Sequence, residues 1–138
     1  MDIRRLDRDR LGPDNNHSQR LMPWAALNAP FEGAWCLVKA GTATTAHAHH
    51  EYEIFIAVSG EAVLASEGER RPFRPGDLVH FPPHTEHQVI NEGDEDFEMY
   101  AVWWDVPMSH TFTERHEIEE IAARDGEAAL AVRNGADR

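Results

Sequence analysis

Between Phe31 and Asp105 the apolar runs are short, and turn-forming residues close them one after another. Ala34 to Ala40 is one compact run; Glu53 to Val58 stops at Ser59-Gly60, and Glu61 to Ser66 stops at Glu67-Gly68. Arg74-Pro75-Gly76-Asp77 then introduces Leu78 to Phe81, which ends at Pro82-Pro83. Gln88 to Ile90 runs into Asn91-Glu92-Gly93-Asp94, and Phe97 to Trp104 completes the series. Turn punctuation every ~8–12 residues between β-branched and aromatic runs specifies an all-β sandwich or barrel. The prolines fall at strand ends, where a missing N–H does no harm. Alternation along Phe97–Trp104 puts Met99, Ala101 and Trp103 on one face and Tyr100, Val102 and Trp104 on the other. One tryptophan should therefore line the interior while the other meets an outer layer.

The flanks follow different rules. Residues 1–22 are polar, with Gly12-Pro13-Asp14-Asn15-Asn16 in their midst, and read as an arm or a poorly ordered leader that could pack on a neighbouring subunit. After Pro107, Thr111 and Glu114 stand at capping-box spacing, Ile118, Ile121 and Ala122 recur at helical spacing, and Asp125-Gly126 closes the run. A short C-terminal helix against the barrel is expected, then a frayed tail. The organisation is an arm over 1–22, a barrel over 23–107, and a helix with tail over 108–138. A chain of 138 residues has room for one real core.

Charge excludes several partners. The net charge is −12, from 25 acidic and 13 basic residues, so neither a phosphate backbone nor an anionic membrane surface is an expected partner. No apolar run approaches the ~20 residues that cross a bilayer. Met1–Arg10 lacks an apolar signal core, which makes the cytoplasm the expected compartment. Cys36, the sole cysteine, lies between Trp35 and Leu37 and reads as an inert thiol in an apolar strand.

The chemistry concentrates in two blocks. The first runs from Gly41 through His47, His49 and Glu53 to Gly60; the second runs from Gly76 through Pro82, Thr85, Glu86 and His87 to Asn91. His47 and His49 are two apart, so on a strand both imidazoles face the same way. Glu53 follows four residues later, and His87 must arrive from another strand. Three imidazoles and one carboxylate form a borderline-hard donor set suited to Fe, Mn, Ni, Cu or Zn rather than Ca or Mg. His50 and Glu51 adjoin the pair and could orient ligands. His80, before Phe81, could face either way.

These blocks resemble the two motifs of the cupin superfamily: Gly41, His47, His49, Glu53 and Gly60 match the first, and Gly76, Pro82, His87 and Asn91 the second. One signature position departs, because His84 stands where the family usually has glycine. The resemblance covers roughly residues 31–105 and implies a double-stranded β-helix (jelly-roll) barrel, with a metal held inside by His47, His49, Glu53 and His87. It leaves the reaction open, since cupins include dioxygenases, isomerases, decarboxylases and lyases as well as sugar binders and sensors.

The favoured reading is a small enzyme that uses one divalent transition metal, Zn(II) or Fe(II), as Lewis acid or oxygen activator on a small polar metabolite. His84, Glu51 and Tyr52 are its candidate proton carriers. A narrower reading comes from His47-Ala48-His49-His50-Glu51-Tyr52-Glu53-Ile54-Phe55, which is similar to zinc cupins that form N–N bonds with an aminoacyl-tRNA-synthetase-like partner. The competing class is a non-catalytic, metal-stabilised ligand-binding or sensor module. Small cupins commonly pair, so a homodimer is expected.

Overall fold

The computed structural model describes residues 1–12, 17–27 and 29–115. Eight strands lie among them: β1 (Ser18–Arg20), β2 (Glu32–Val38), β3 (Tyr52–Ser59), β4 (Ala62–Ser66), β5 (Glu69–Phe73), β6 (Leu78–Phe81), β7 (His87–Ile90) and β8 (Phe97–Trp104). They form two antiparallel sheets, one in the order β1-β2-β8-β3-β6 and the other in the order β5-β4-β7. The expected all-β barrel is what the chain builds.

Period-two alternation explains which side chains meet inside. In β3, Glu53, Phe55 and Ala57 are buried, and in β8 Phe97, Met99 and Ala101 are. Across the sheets they join Val38, Leu64, Phe73, Phe81 and Val89 in one core, with Trp103 packed at its margin. Register fixes the partners: Glu53 pairs with Phe81 on β6 and with Trp103 on β8, while Tyr52 pairs with Trp104. Trp104 and Tyr52 stack on one another and Tyr52 on His80, with centroids 5.8 Å apart in both contacts. Trp103 is thus the inward ring and Trp104 the outward one, and His80 faces outward with it.

Two motif residues have structural duties. Gly60 adopts φ +76°, and a Cβ there would lie 2.3 Å from the Asp96 carbonyl oxygen. Neither the backbone conformation nor the contact admits a side chain. Asn91 is buried; its amide donates to the carbonyls of Val38 (2.9 Å) and Glu95 (2.8 Å), and its Oδ1 accepts from the Gly93 N–H (3.0 Å). It clasps the turn between β7 and β8 onto the end of β2.

Three elements differ from or add to what the sequence pattern specifies. The polar arm supplies β1, whose Ser18, Gln19 and Arg20 pair with Cys36, Trp35 and Ala34 of β2. It is held further by Leu37 N–H donating to the His17 carbonyl (2.8 Å) and by an ion pair between Arg8 and buried Glu98, with Nη2 3.1 Å from Oε2. Glu69–Phe73 is a strand despite its charge and Pro72; among the described residues β5 is an edge strand that pairs only with β4, so a proline and solvent-facing charges fit there. The helix α1 (Val106–Arg115) starts five residues before Thr111. Pro107 needs no N–H partner in a first turn, and Thr111 sits inside the helix with its hydroxyl donating to the Pro107 carbonyl (3.0 Å). Ile118, Ile121, Ala122 and Asp125-Gly126 lie outside the described residues. No helix among the described residues is long and apolar enough to cross a membrane.

Candidate metal centre

His47 and His87 face each other across an antiparallel bridge: His47 N–H donates to the His87 carbonyl (3.2 Å), and His87 N–H to that of His47 (3.0 Å). This bridge solves the problem of bringing the two motifs together. Their ring centroids lie 4.7 Å apart, and that of His49 lies 5.5 Å from His47 and 5.2 Å from His87. Glu53 enters from the start of β3. One ligand atom from each of His47, His49, Glu53 and His87 can be chosen so that all lie within 4.8 Å of one another.

The local hydrogen bonds orient these atoms inward. Nδ1 of His47 lies 2.9 Å from the Thr45 carbonyl, and Nδ1 of His87 lies 2.9 Å from that of Thr85. A proton held at Nδ1 by a carbonyl leaves Nε2 as the lone-pair nitrogen, the tautomer a metal ligand needs. Glu53 Oε1 is 3.1 Å from His49 Nε2 and 2.9 Å from His87 Nε2. The His87 nitrogen is nevertheless a buried polar atom without a hydrogen-bond partner among the described residues, and His49 Nδ1 is another. His87 Nε2 thus lies close to the carboxylate without hydrogen-bonding it, whereas His49 Nε2 and Glu53 Oε1 do form a hydrogen bond. Buried polar atoms are costly to leave unmatched, so this arrangement fits a shared cation.

The surroundings are dry on one side and polar on the other. Glu53 is 5% exposed and His87 2%. Phe81 stacks on the His87 ring at 4.4 Å and Phe55 meets it edge-on at 5.5 Å. On the open side lies a cavity of about 470 Å³, whose wall includes His17, Arg20, Cys36, Thr45, Glu51 and Trp103 besides the four candidate ligands. Burial, reinforced by the nearby Glu53 charge, pushes the Cys36 thiol up from 9.0 to about 12, so it stays a neutral wall atom.

The candidate proton carriers separate. Glu51 lines the cavity, with Oε1 3.7 Å from His49 Nδ1. Tyr52 is on the outer face with Trp104, as its position next to inward Glu53 requires. The structure does not bring the His84 side chain to the cavity wall either. His84 tolerates the left-handed conformation at φ +61°, and its backbone N–H donates to the His49 carbonyl (2.7 Å), steadying a candidate ligand through the main chain. His50 is exposed, 3.6 Å from Glu51 and 3.5 Å from Asp105. Sequence reasoning missed His17, Ser18 and Arg20, which reach the cavity only because the arm adds β1 to the sheet.

The family model for the cupin domain matches residues 34–103. The chain belongs to the cupin domain family. It is 57% identical to a Cupin 2 conserved barrel domain protein from Salinispora arenicola CNS-205, whose crystal structure it matches over 84% of its own length and 98% of that chain, with a TM-score of 0.72. Over 56 residues, 37% of this chain, it is 38% identical to a glucose-6-phosphate isomerase from Pyrococcus horikoshii, covering 30% of that protein. It is also 30% identical over 73 residues, 51% of this chain, to a 5-nitrosalicylic acid 1,2-dioxygenase from a Bradyrhizobium species, covering 35% of that enzyme. The cupin thus spans about a third of the length of these two relatives.

Proposed function

We propose that this cupin is a metal-dependent enzyme in which His47, His49, Glu53 and His87 hold one divalent transition ion, Zn(II) or Fe(II), and a small polar metabolite binds in the cavity beside it. The observation that carries this reading is the convergence of four ligand atoms, among which His87 Nε2 is buried beside Glu53 and satisfied by no hydrogen bond. When bound, such an ion supplies Lewis-acid polarisation of a substrate oxygen or activation of dioxygen.

The chain's own residues do the remaining work. The Thr45 and Thr85 carbonyls fix the tautomers of His47 and His87. Phe55 and Phe81 keep water from beneath His87, which strengthens every electrostatic interaction on that side. Glu51 is the carboxylate of the wall outside the ligand set, placed to take a proton from a bound metabolite. The partial relatives support a substrate bearing an acidic group, since the names of both specify one: a 6-phosphate and a salicylic acid.

The test is elemental analysis of protein purified without a histidine tag, then chelation and reloading. Oxygen consumption and isomerisation are assayed on sugar phosphates and hydroxybenzoates. Activity that disappears on stripping and returns with one metal, the fold being intact throughout, is the expected outcome. A protein that binds no divalent ion would end the proposal, and one whose melting temperature alone responds to metal holds a structural ion.

A further inference from the structure

We propose that Arg20 is a substrate-binding residue that recognises an oxyanion, so that the ligand of this cavity presents a carboxylate or phosphate to the wall formed by β1. The inference deepens the reading above and rests on the cavity being a ligand site.

Placement comes first. Arg20 and Ser18 pair with Ala34 and Cys36 of β2, so all four share a face, and all four line the cavity. The charge inventory of that wall comes second. Among the described residues Glu51 and Glu53 are its carboxylates, and Arg20 is its single Lys or Arg. Arg8, Arg70, Arg71 and Arg74 each pair with a glutamate. For Arg20, by contrast, the contact recorded among the described residues is aromatic, with its guanidinium carbon 5.4 Å from the centroid of Trp103. Among the described residues Arg4 likewise has no carboxylate partner and lies over Trp24, but Arg20 is the one of the two that lines this cavity.

The chemistry follows from the shape of the group. A guanidinium over a ring face is held by cation–π attraction while its in-plane N–H fork stays available. That fork matches the paired oxygens of a carboxylate or phosphate. The net charge of −12 repels anions at a distance, so capture of an anionic ligand depends on short-range contacts such as this one. Arg20 is exposed, at the open side of the cavity, whereas the candidate ligands Glu53 and His87 are buried. An anionic group at the rim would leave the rest of a small metabolite directed toward the metal centre.

The experiment titrates inorganic phosphate and, separately, malonate into chelator-stripped and zinc-loaded protein, reading tryptophan fluorescence, with zinc content measured independently. Wild type, Arg20→Gln and Arg20→Lys are compared after their melting curves are matched. Arg20→Gln should weaken the better anion about tenfold or more in both forms, the loss expected for a charge-assisted contact, and Arg20→Lys should recover part of it. The anion that binds more tightly identifies the acid class. Equal affinity in wild type and Arg20→Gln overturns the proposal, as does anion binding that needs zinc and ignores Arg20, or no saturable binding of either anion to wild type. Failure to hold zinc would count against the metal reading alone, because titration of the stripped protein still decides the role of Arg20.

Discussion

Replacing Glu53 with glutamine removes the only anionic member of the ligand set while keeping its volume, in a residue 5% exposed and within 3.1 Å of two imidazole nitrogens. Binding to the native state alone stabilises by RT ln(1 + [L]/Kd), which is ~2.7 kcal/mol for wild type at a hundred times its dissociation constant. For a chain of this length ~1 kcal/mol moves the melting temperature by about 4 °C, so saturating metal should raise it by about 11 °C. Loss of a group that merely orients a ligand weakens metal binding ~10–100-fold, and loss of a ligand is at least as costly. At the same metal concentration Glu53→Gln would then sit near its own dissociation constant, where ~0.4 kcal/mol remains and the shift is about 2 °C. Differential scanning fluorimetry of chelated protein, with Zn(II) and anaerobic Fe(II) added in series, measures both shifts. Each variant is compared with its own stripped form, so effects on the apo fold cancel. Equal shifts for wild type and Glu53→Gln would refute the assignment of Glu53 as a ligand, and a wild type indifferent to every ion would refute the site.

Other consequences follow from single residues. Asn91→Ala deletes three hydrogen bonds at a buried turn and should cost about 2–4 kcal/mol in urea denaturation. Asn91→Asp should be no better, because a carboxylate faces two carbonyls that need a donor; a loss below ~1 kcal/mol in both would contradict the clasp. Cys36 should resist iodoacetamide in folded protein at pH 8 and react promptly in guanidinium, since the thiolate is the nucleophile and the folded thiol titrates near 12. The sign for stability is negative above pH 9, where the unfolded thiol loses its proton and the folded one keeps it; rapid native labelling would show that the thiol is not shielded. His84→Gly should leave metal affinity within about threefold and stability within ~1 kcal/mol, because relief of the left-handed backbone offsets the entropy of glycine. A collapse of metal binding would place the imidazole in the site after all.

The centre was legible because its signal is local: His47 and His49 share a face by strand geometry, and the framing glycines Gly41, Gly60 and Gly76 mark turns of positive φ. The barrel was legible from turn punctuation. Tyr52 shows a signal available but not applied, since an inward Glu53 forces its neighbour outward whatever the fold. His84 could not be read, because the left-handed position it occupies is set by a turn in which its backbone, not its ring, meets His49. β1 and β5 were invisible for another reason. His-Ser-Gln-Arg and Glu-Arg-Arg-Pro carry no apolar alternation, and both strands exist only because a sheet edge offers them partners. The helix start moved because Pro107 is a good first-turn residue immediately after a strand.

The addition of β1 separates two tasks along the polypeptide. The candidate ligands lie between residues 47 and 87, whereas Arg20 lines the cavity from a three-residue ribbon nearer the amino terminus, held to β2 and tethered through Arg8 to Glu98. Under the proposed Arg20 contact, substitutions in that ribbon would retune what is admitted and leave the four candidate ligands in place. Two such barrels with the same inner ligands could discriminate among different acids by exchanging only a few amino-terminal letters.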